Sequence, residues 1–410
     1  MKVALLGFGT VGSSVARILC DMKPDGIQLS HIFNRNVARK KVDWVPAPVV
    51  WTEDFDDILG SGVDVIVELV GGLEPAGTWV RRALEAGKSV VTGNKKLIAK
   101  SGIELDRLAR SKGAHLLYGA AVAGGIPVIP GLLQGLAGDR ITRIEAILNG
   151  TCNYILSRME EGADFAAVLG DAQELGYAEA DPSEDVDGYD ARAKLVILSR
   201  IALRADVKVE SVACRSITDV DAVDLVYARD LNCTIRQISK AELLPDGVSA
   251  AVGPMLVPQR SPFAWSRSTE NMVLVCGQYG GDVVFSGHGA GGTPTAVAVV
   301  SDLISLAHGS KAVDMASRAA NISGEFQHRH YIRFIVRDRP GIVAEIAGAL
   351  ASEKINIDAL FQRTGYEKGH LPFVVTVEPC AASALRRALD RISHTQWLAA
   401  PPLDMPILGE

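Results

Sequence analysis

Three features that would mark a small stapled protein, a membrane protein or a nucleic-acid binder are missing from this sequence. The six cysteines (Cys20, Cys152, Cys214, Cys233, Cys276, Cys380) lie far apart. None forms the closely spaced pair of a zinc or redox site, and buried, reduced thiols are expected. No segment approaches the roughly 18 uninterrupted apolar residues of a membrane-spanning helix. The chain enters a strand at Lys2-Val3-Ala4-Leu5-Leu6 without the charged lead and cleavage site of a secretory leader. Basic residues cluster only at Arg39-Lys40-Lys41 and the formal net charge is -6, which leaves no footprint for nucleic acid or an anionic membrane. These absences point to a cytoplasmic protein acting on a small polar molecule.

What is present is room for several cores. A chain of 410 residues holds two to four domains, and 48% hydrophobic with 22% charged residues is an ordinary globular composition. From Met1 to about Gly119, β-rich runs at Val3–Leu6, Ile27–Phe33, Val63–Leu69, Ser89–Thr92 and His115–Tyr118 alternate with helical stretches. That alternation predicts an α/β, doubly wound parallel sheet of Rossmann type over residues 1–125. Residues 126–320 begin helix-rich and shift to strands around Ile235, Ala251, Met272 and Val283, which reads as an α+β substrate domain. A helix from Pro294 to His308 is expected to fold back on the nucleotide end. After Ser323-Gly324, residues 326–410 read as βαββαβ, a ferredoxin-like module separable from the rest, with a short last strand near Trp397.

Gly7-Phe8-Gly9-Thr10-Val11-Gly12 follows the first strand and opens a helix of small residues. Gly7 suits the tight turn, Gly9 lets backbone approach a pyrophosphate, and Gly12 lets helix pack on strand. The helix N-terminus adds unpaired N–H groups and partial positive charge. Where an NAD-binding fold usually places an acid for the ribose 2′-hydroxyl, this chain reads Phe33-Asn34-Arg35-Asn36. Arg35 suits a 2′-phosphate, so NADP is expected over NAD; a merely solvated basic loop is the alternative.

Leu175 through Lys194 crowds acids and bases into a Pro- and Gly-containing loop that runs into an apolar helix. Asp190 and Lys194, four apart, share a helical face, which by itself is also the pattern of a surface ion pair.

Several stretches in collinear order resemble the homoserine dehydrogenase family. They are Gly7–Gly12, Val67–Ala76, Val91-Thr92-Gly93-Asn94-Lys95-Lys96, Ala123–Pro127, Asn149–Leu156, Leu175–Lys194 and Gly289–Ala296, covering about residues 1–310. The resemblance implies interconversion of L-homoserine and L-aspartate 4-semialdehyde with NADP or NAD, in threonine, methionine and isoleucine biosynthesis, and makes the α+β residues 126–320 the catalytic and dimerisation domain. It implies that Glu179 and Asp185 hold the substrate, that Asp190 orients its ammonium, that Lys194 gives or takes the proton, and that Lys95 has a second catalytic or binding role. Lys96 is expected to be solvated. Thr92, Lys95, Gly289 and Gly291 join the first glycine turn in contacting the cofactor, although the Gly289–Thr295 turn also reads as a simple helix entry. An ordinary lysine pKa of about 10.4 makes Lys194 a ready donor at neutral pH, and homoserine oxidation is expected to speed up as pH rises.

One departure concerns a monovalent cation. The family commonly has Glu where this chain has Gly119. Carbonyls of Val122, Gly124 and Ile126 remain, so a weak site with little sodium or potassium dependence is expected. At the C-terminal end, Val336-Arg337-Asp338-Arg339-Pro340-Gly341-Ile342 and Lys354–Asp358 resemble the ACT domain, with Pro340 placed at the first helical position. An amino-acid effector, threonine among the candidates, is implied; a purely structural dimerisation module is the alternative. A homodimer or homotetramer is expected, and with no kinase-like extension before the glycine turn, a monofunctional form. Two other readings compete: a nucleotide and amino-acid sensor without turnover, and a dehydrogenase for another small semialdehyde. One that forms an acyl-phosphate needs an activated Cys, whereas Cys152 reads as packing.

Overall fold

The computed structural model describes residues 1–309, 318–323 and 325–409; the expected junction at Gly324 and part of the 126–320 domain lie outside them. The first six strands are β1 (Lys2–Leu6), β2 (Gln28–Phe33), β3 (Val50–Thr52), β4 (Val65–Glu68), β5 (Ser89–Thr92) and β6 (Leu116–Leu117). They pair in parallel in the order β3-β2-β1-β4-β5-β6. Near-continuous apolar strands suit a parallel sheet, because helices cover both of its faces. The three-residue β3, preceded by Pro46 and Pro48, is too short to show a period and was not anticipated. The strand order reverses between β1 and β4, where ligands bind in such sheets. Two helices frame that crevice, α1 (Thr10–Met22) after β1 and α2 (Lys95–Ser111) after β5.

The middle of the chain supplies β7 (Ile141–Ile147), α3 (Gly150–Glu160), α4 (Tyr189–Ala202), α5 (Ala222–Asp230), β8 (Cys233–Leu244), β9 (Gly247–Pro258), β10 (Glu270–Gly277), β11 (Gly281–His288) and α6 (Gly292–Ala307). Strand β7 escaped the sequence reading because Arg143 and Glu145 break its apolar run. Both are answered inside the fold, Glu145 meeting Arg143 Nε at 3.3 Å and Lys240 Nζ at 3.4 Å. As expected, α6 returns to the nucleotide end. A Cβ on Gly292 would lie 2.8 Å from Thr10 Cγ2 and 3.1 Å from Ser14 Oγ, so α6 starts directly against α1.

The last residues form β12 (Gln327–Val336), α7 (Ile342–Ser352), β13 (Ile357–Gln362), β14 (Leu371–Ala381), α8 (Ala382–Ile392) and β15 (Leu398–Ile407). Their antiparallel order, β15-β12-β14-β13, is the expected ferredoxin-like one. Pro340 does not open α7; it lies in the turn, and Gly341 at φ 95° precedes Ile342. The module is also not separable. Strand β15, ten residues long despite Pro401, Pro402 and Pro406, runs beside β9 with Leu256 opposite Ile407, and the Leu408 N–H bonds the Leu256 carbonyl at 2.8 Å. Both modules thus share one continuous sheet. On its face, buried Asp224 of α5 accepts from Tyr331 Oη at 2.8 Å and Arg333 Nη1 at 2.5 Å, and Tyr227 Oη donates to the Pro372 carbonyl at 3.0 Å. Among the described residues, no helix is long and apolar enough to cross a membrane.

Candidate active site

At the crevice, Gly7 has φ +100°, and a Cβ on Gly12 would lie 2.1 Å from the Gly7 carbonyl oxygen, so neither position admits a side chain. Gly9 faces open space, with nothing within 4 Å of a Cβ, and the first turn of α1 carries no acid. Exposed Gly9 and Thr10, with Val11 behind them, leave backbone N–H groups at a helix N-terminus for an anion. These residues fit a dinucleotide's phosphates. The Phe8 ring is buried against Trp51 (centroids 4.9 Å apart) and Trp44 (6.0 Å), which leaves only its peptide at the turn. Arg35 stands exposed just past β2.

The second glycine turn abuts the first. Gly291 has φ +118°, and a Cβ on Gly289 would strike the Asn271 amide at 2.0 Å. Thr92 departs from its expected role: it is fully buried, its hydroxyl donates to Glu68 Oε2 at 2.7 Å, and it accepts the Asn94 N–H at 2.9 Å. It shapes the turn before Lys95 and offers no free hydroxyl. Glu68 fastens the neighbouring turn as well, its Oε1 accepting the N–H groups of Val70 and Gly71 at 2.8 and 2.9 Å.

Lys95, first residue of α2, crosses from this domain to meet α4. Its Nζ lies 2.6 Å from Asp190 Oδ1, while Lys194 Nζ lies 2.7 Å from Asp190 Oδ2 and donates to the Leu148 carbonyl at 2.7 Å. The expected i, i+4 pair is therefore almost buried, its side chains only 12% and 7% exposed, rather than a surface decoration. Burial tends to neutralise Asp190, but Lys194 and Lys95 overwhelm it and hold the carboxyl far below its ordinary range. For Lys194, burial is the largest influence; together with the neighbouring Lys95 charge it outweighs Asp190 and lowers the pKa. The ordinary value assumed from sequence is corrected accordingly. Lys95 is also opposed by burial, but Asp190, Asp185 and Glu184 outweigh that and raise it.

Asn149 joins the acids. Its Nδ2 donates to Asp185 Oδ1 at 2.6 Å and Asp190 Oδ2 at 2.9 Å, while its Oδ1 caps α3 through the Cys152 N–H at 2.8 Å. Burial raises Asp185, the Asn149 amide opposing and the Asp190 charge adding to the shift. Sequence reading quoted Asn149 within a motif without giving it this role; an N-cap Asn before a helix was the available signal. Glu179 is exposed, its carboxylate unpaired among the described residues and its carbonyl accepting from Gln173 Nε2 at 3.0 Å. Lys96 is not simply solvated, since it pairs with Glu184 at 2.9 Å. Cys152 is fully buried, its thiol donates to the Asp185 carbonyl at 3.1 Å, and burial pushes its pKa well up, the reverse of an activated nucleophile.

At the cation turn, Ala123 and Gly124 are both left-handed, at φ 57° and 53°. The Gly119 N–H donates to Asp302 Oδ2 of α6 at 2.7 Å, and a Cβ at 119 would lie 2.8 Å from Asp302 Oδ1. A carboxylate thus reaches this turn from far along the chain, and burial lifts it to about 7. A carboxylate therefore stands beside Gly119, where the sequence offered none nearby. No local pattern could have revealed a contact spanning 183 positions.

Three family models match the chain: homoserine dehydrogenase over residues 127–304, homoserine dehydrogenase NAD-binding domain over 7–119, and ACT domain over 330–393. A homoserine dehydrogenase of Synechocystis is 38% identical with both chains fully covered. One of Mycobacterium tuberculosis is 40% identical over 90% of this chain and 87% of its own. Among solved structures, a homoserine dehydrogenase from Thiobacillus denitrificans superposes with a TM-score of 0.93 at 33% identity, covering 100% of this chain and 98% of that one. A hyperthermophilic archaeal homoserine dehydrogenase in complex with NADPH gives 0.66 at 26% identity, covering 76% and 99%.

Proposed function

Because this chain belongs to the homoserine dehydrogenase family, an NAD(P)-dependent oxidoreductase with a C-terminal ACT domain, we propose that Lys194, Asp190 and Lys95 form its proton-handling and substrate-orienting centre. The observation that carries this is Asp190 held between two lysines drawn from different domains. The bound nicotinamide supplies or accepts the hydride. In the reducing direction Lys194, its pKa lowered by burial, gives a proton to the forming alkoxide; in the oxidising direction, once neutral, it takes that proton. Lys95 stays charged and stabilises negative charge on the same oxygen. Asp190 orients both lysines and, with Asp185 and Glu179, receives the substrate ammonium.

The proposal includes a preference for NADP. Arg35 supports it, with no acid in the turn after β2, and so does NADPH bound to the archaeal relative. It also includes a weak monovalent cation at the Val122, Gly124 and Ile126 carbonyls, a cytoplasmic homo-oligomer, a place in threonine, methionine and isoleucine biosynthesis, and an amino-acid effector for the ACT domain. Initial rates with L-homoserine at about pH 9, using NADP⁺ and NAD⁺ separately, test the centre. Turnover favouring NADP⁺ is expected. Tight nucleotide binding with no turnover would return the reading to a sensor or to another semialdehyde.

A further inference from the structure

A cavity of about 520 Å³ lies where β9 and the short strand Ala213–Cys214 of the catalytic domain meet β12, α8 and β15 of the ACT module. One wall carries Arg215, whose Nη1 and Nη2 hold Asp404 at 2.9 and 3.1 Å. Arg386 and Asp390, one turn apart on α8 and both exposed, also line it. His328 and His330 of β12 belong to the lining as well, only 6% and 1% exposed. Nε2 of His328 and both ring nitrogens of His330 have no hydrogen-bond partner among the described residues. Nδ1 of His330 comes only within 3.7 Å of Asp404, too far to bond. Burial, with Lys240 close by, holds His328 near 3, so its neutral ring has one donor and one acceptor to offer. The remaining lining is largely apolar.

Buried polar atoms without partners are uncommon, and here they sit in a wall that also carries charged groups of both signs, Arg215, Arg386, Asp390 and Asp404, which suit a ligand bearing both charges. We propose that this cavity binds a free α-amino acid as its zwitterion, the carboxylate toward Arg215 and Arg386, the ammonium toward Asp404 and Asp390, and the side chain beside the two histidines. The inference rests on the reading that the ACT module answers to an amino acid. It places the ligand between the modules, away from the Asp338–Gly341 turn. Val252 connects this site to catalysis. It lines the cavity, and a Cβ on Gly188 would meet its Cγ1 at 3.0 Å. Cys214, also in the wall, has its Sγ 3.8 Å from the Gly188 carbonyl. Gly188 caps α4 two residues before Asp190. An occupant of the cavity thus acts one packed contact away from the catalytic helix.

The test is a thermal-shift screen of the full-length protein with each of the twenty common L-amino acids at millimolar concentration, followed by calorimetric titration of those that bind. Arg386→Ala, His330→Asn and, at the other end of the module, Arg339→Ala are then titrated in parallel. Arg386 is exposed, so its variant keeps the fold even where that of buried His330 does not, and homoserine turnover reports folding in each. A Kd weakened tenfold or more by Arg386→Ala, with Arg339→Ala unchanged, is the expected result. Loss of binding only in Arg339→Ala, or unchanged binding in every variant, would overturn the cavity as the site while leaving an amino-acid response standing. No binding of any amino acid to the parent would overturn both.

Discussion

Lys194 has only 12% of its side chain exposed, and that burial governs how readily it can play the proposed proton-transfer role. Lys194→Ala is expected to lower kcat for homoserine oxidation by about 10² to 10⁴, while nucleotide affinity, followed by fluorescence titration, is unchanged. On the proposed mechanism the neutral amine is the base, and its pKa lies below the usual 10.5. The rate should therefore climb with pH through a midpoint under that value and level off above it; a midpoint at or above it would refute the assignment. Arg35→Ala should raise KM for NADP⁺ by roughly 10- to 100-fold, the worth of a charge-assisted contact, and leave KM for NAD⁺ alone. Asp302 bears on the cation. Its Oδ2 is already engaged by the Gly119 N–H, so replacing potassium and sodium by tetramethylammonium should change the rate by less than about twofold, near 0.4 kcal/mol. A larger loss would mean that this carboxylate is drawn in as a ligand. The Asp190–Lys194 pair was legible from spacing, whereas Lys95 and Asp302 reach their partners by folding alone.

Turns that precede helices carry much of this site, and glycines there do two separable jobs. At Gly12 the added Cβ of an alanine would lie 2.1 Å from a backbone oxygen. Gly12→Ala should therefore cost about 1–3 kcal/mol of stability as well as cofactor affinity, seen as a lowered Tm in the absence of nucleotide. At Gly9 nothing lies within 4 Å. Gly9→Ala should leave that Tm unchanged yet weaken nucleotide binding, because only the ligand occupies the space. Equal Tm losses in both would show that the turn is merely structural. The long, apolar elements were readable from their periods. Strand β3 was too short, β7 too charged and β15 too rich in proline, since their pairing depends on neighbours that no local window contains.

Across the whole molecule the ACT module is built into the sheet that supports the catalytic helix. Deleting residues 326–410 would strip β15 from beside β9, remove Tyr331 and Arg333 from buried Asp224, and open the core shared by Tyr227, Leu256 and Met405. The truncated protein is expected to melt at lower temperature and to scatter light on heating, rather than to behave as an intact enzyme freed of control; a truncation with unchanged Tm would contradict this. Tests of regulation therefore belong to point variants. The parallel nucleotide fold, the βαββαβ order and the acid–lysine helix are written in residues near one another along the chain, and the family in motifs that follow in order, so all of them can be read before any folding. That Lys95 shares Asp190 with Lys194, that Asn149 links two acids, that Asp302 answers Gly119, and that the two modules enclose a cavity emerges from folding alone. Each of these is a contact between distant segments, set by packing and burial that a linear pattern does not encode.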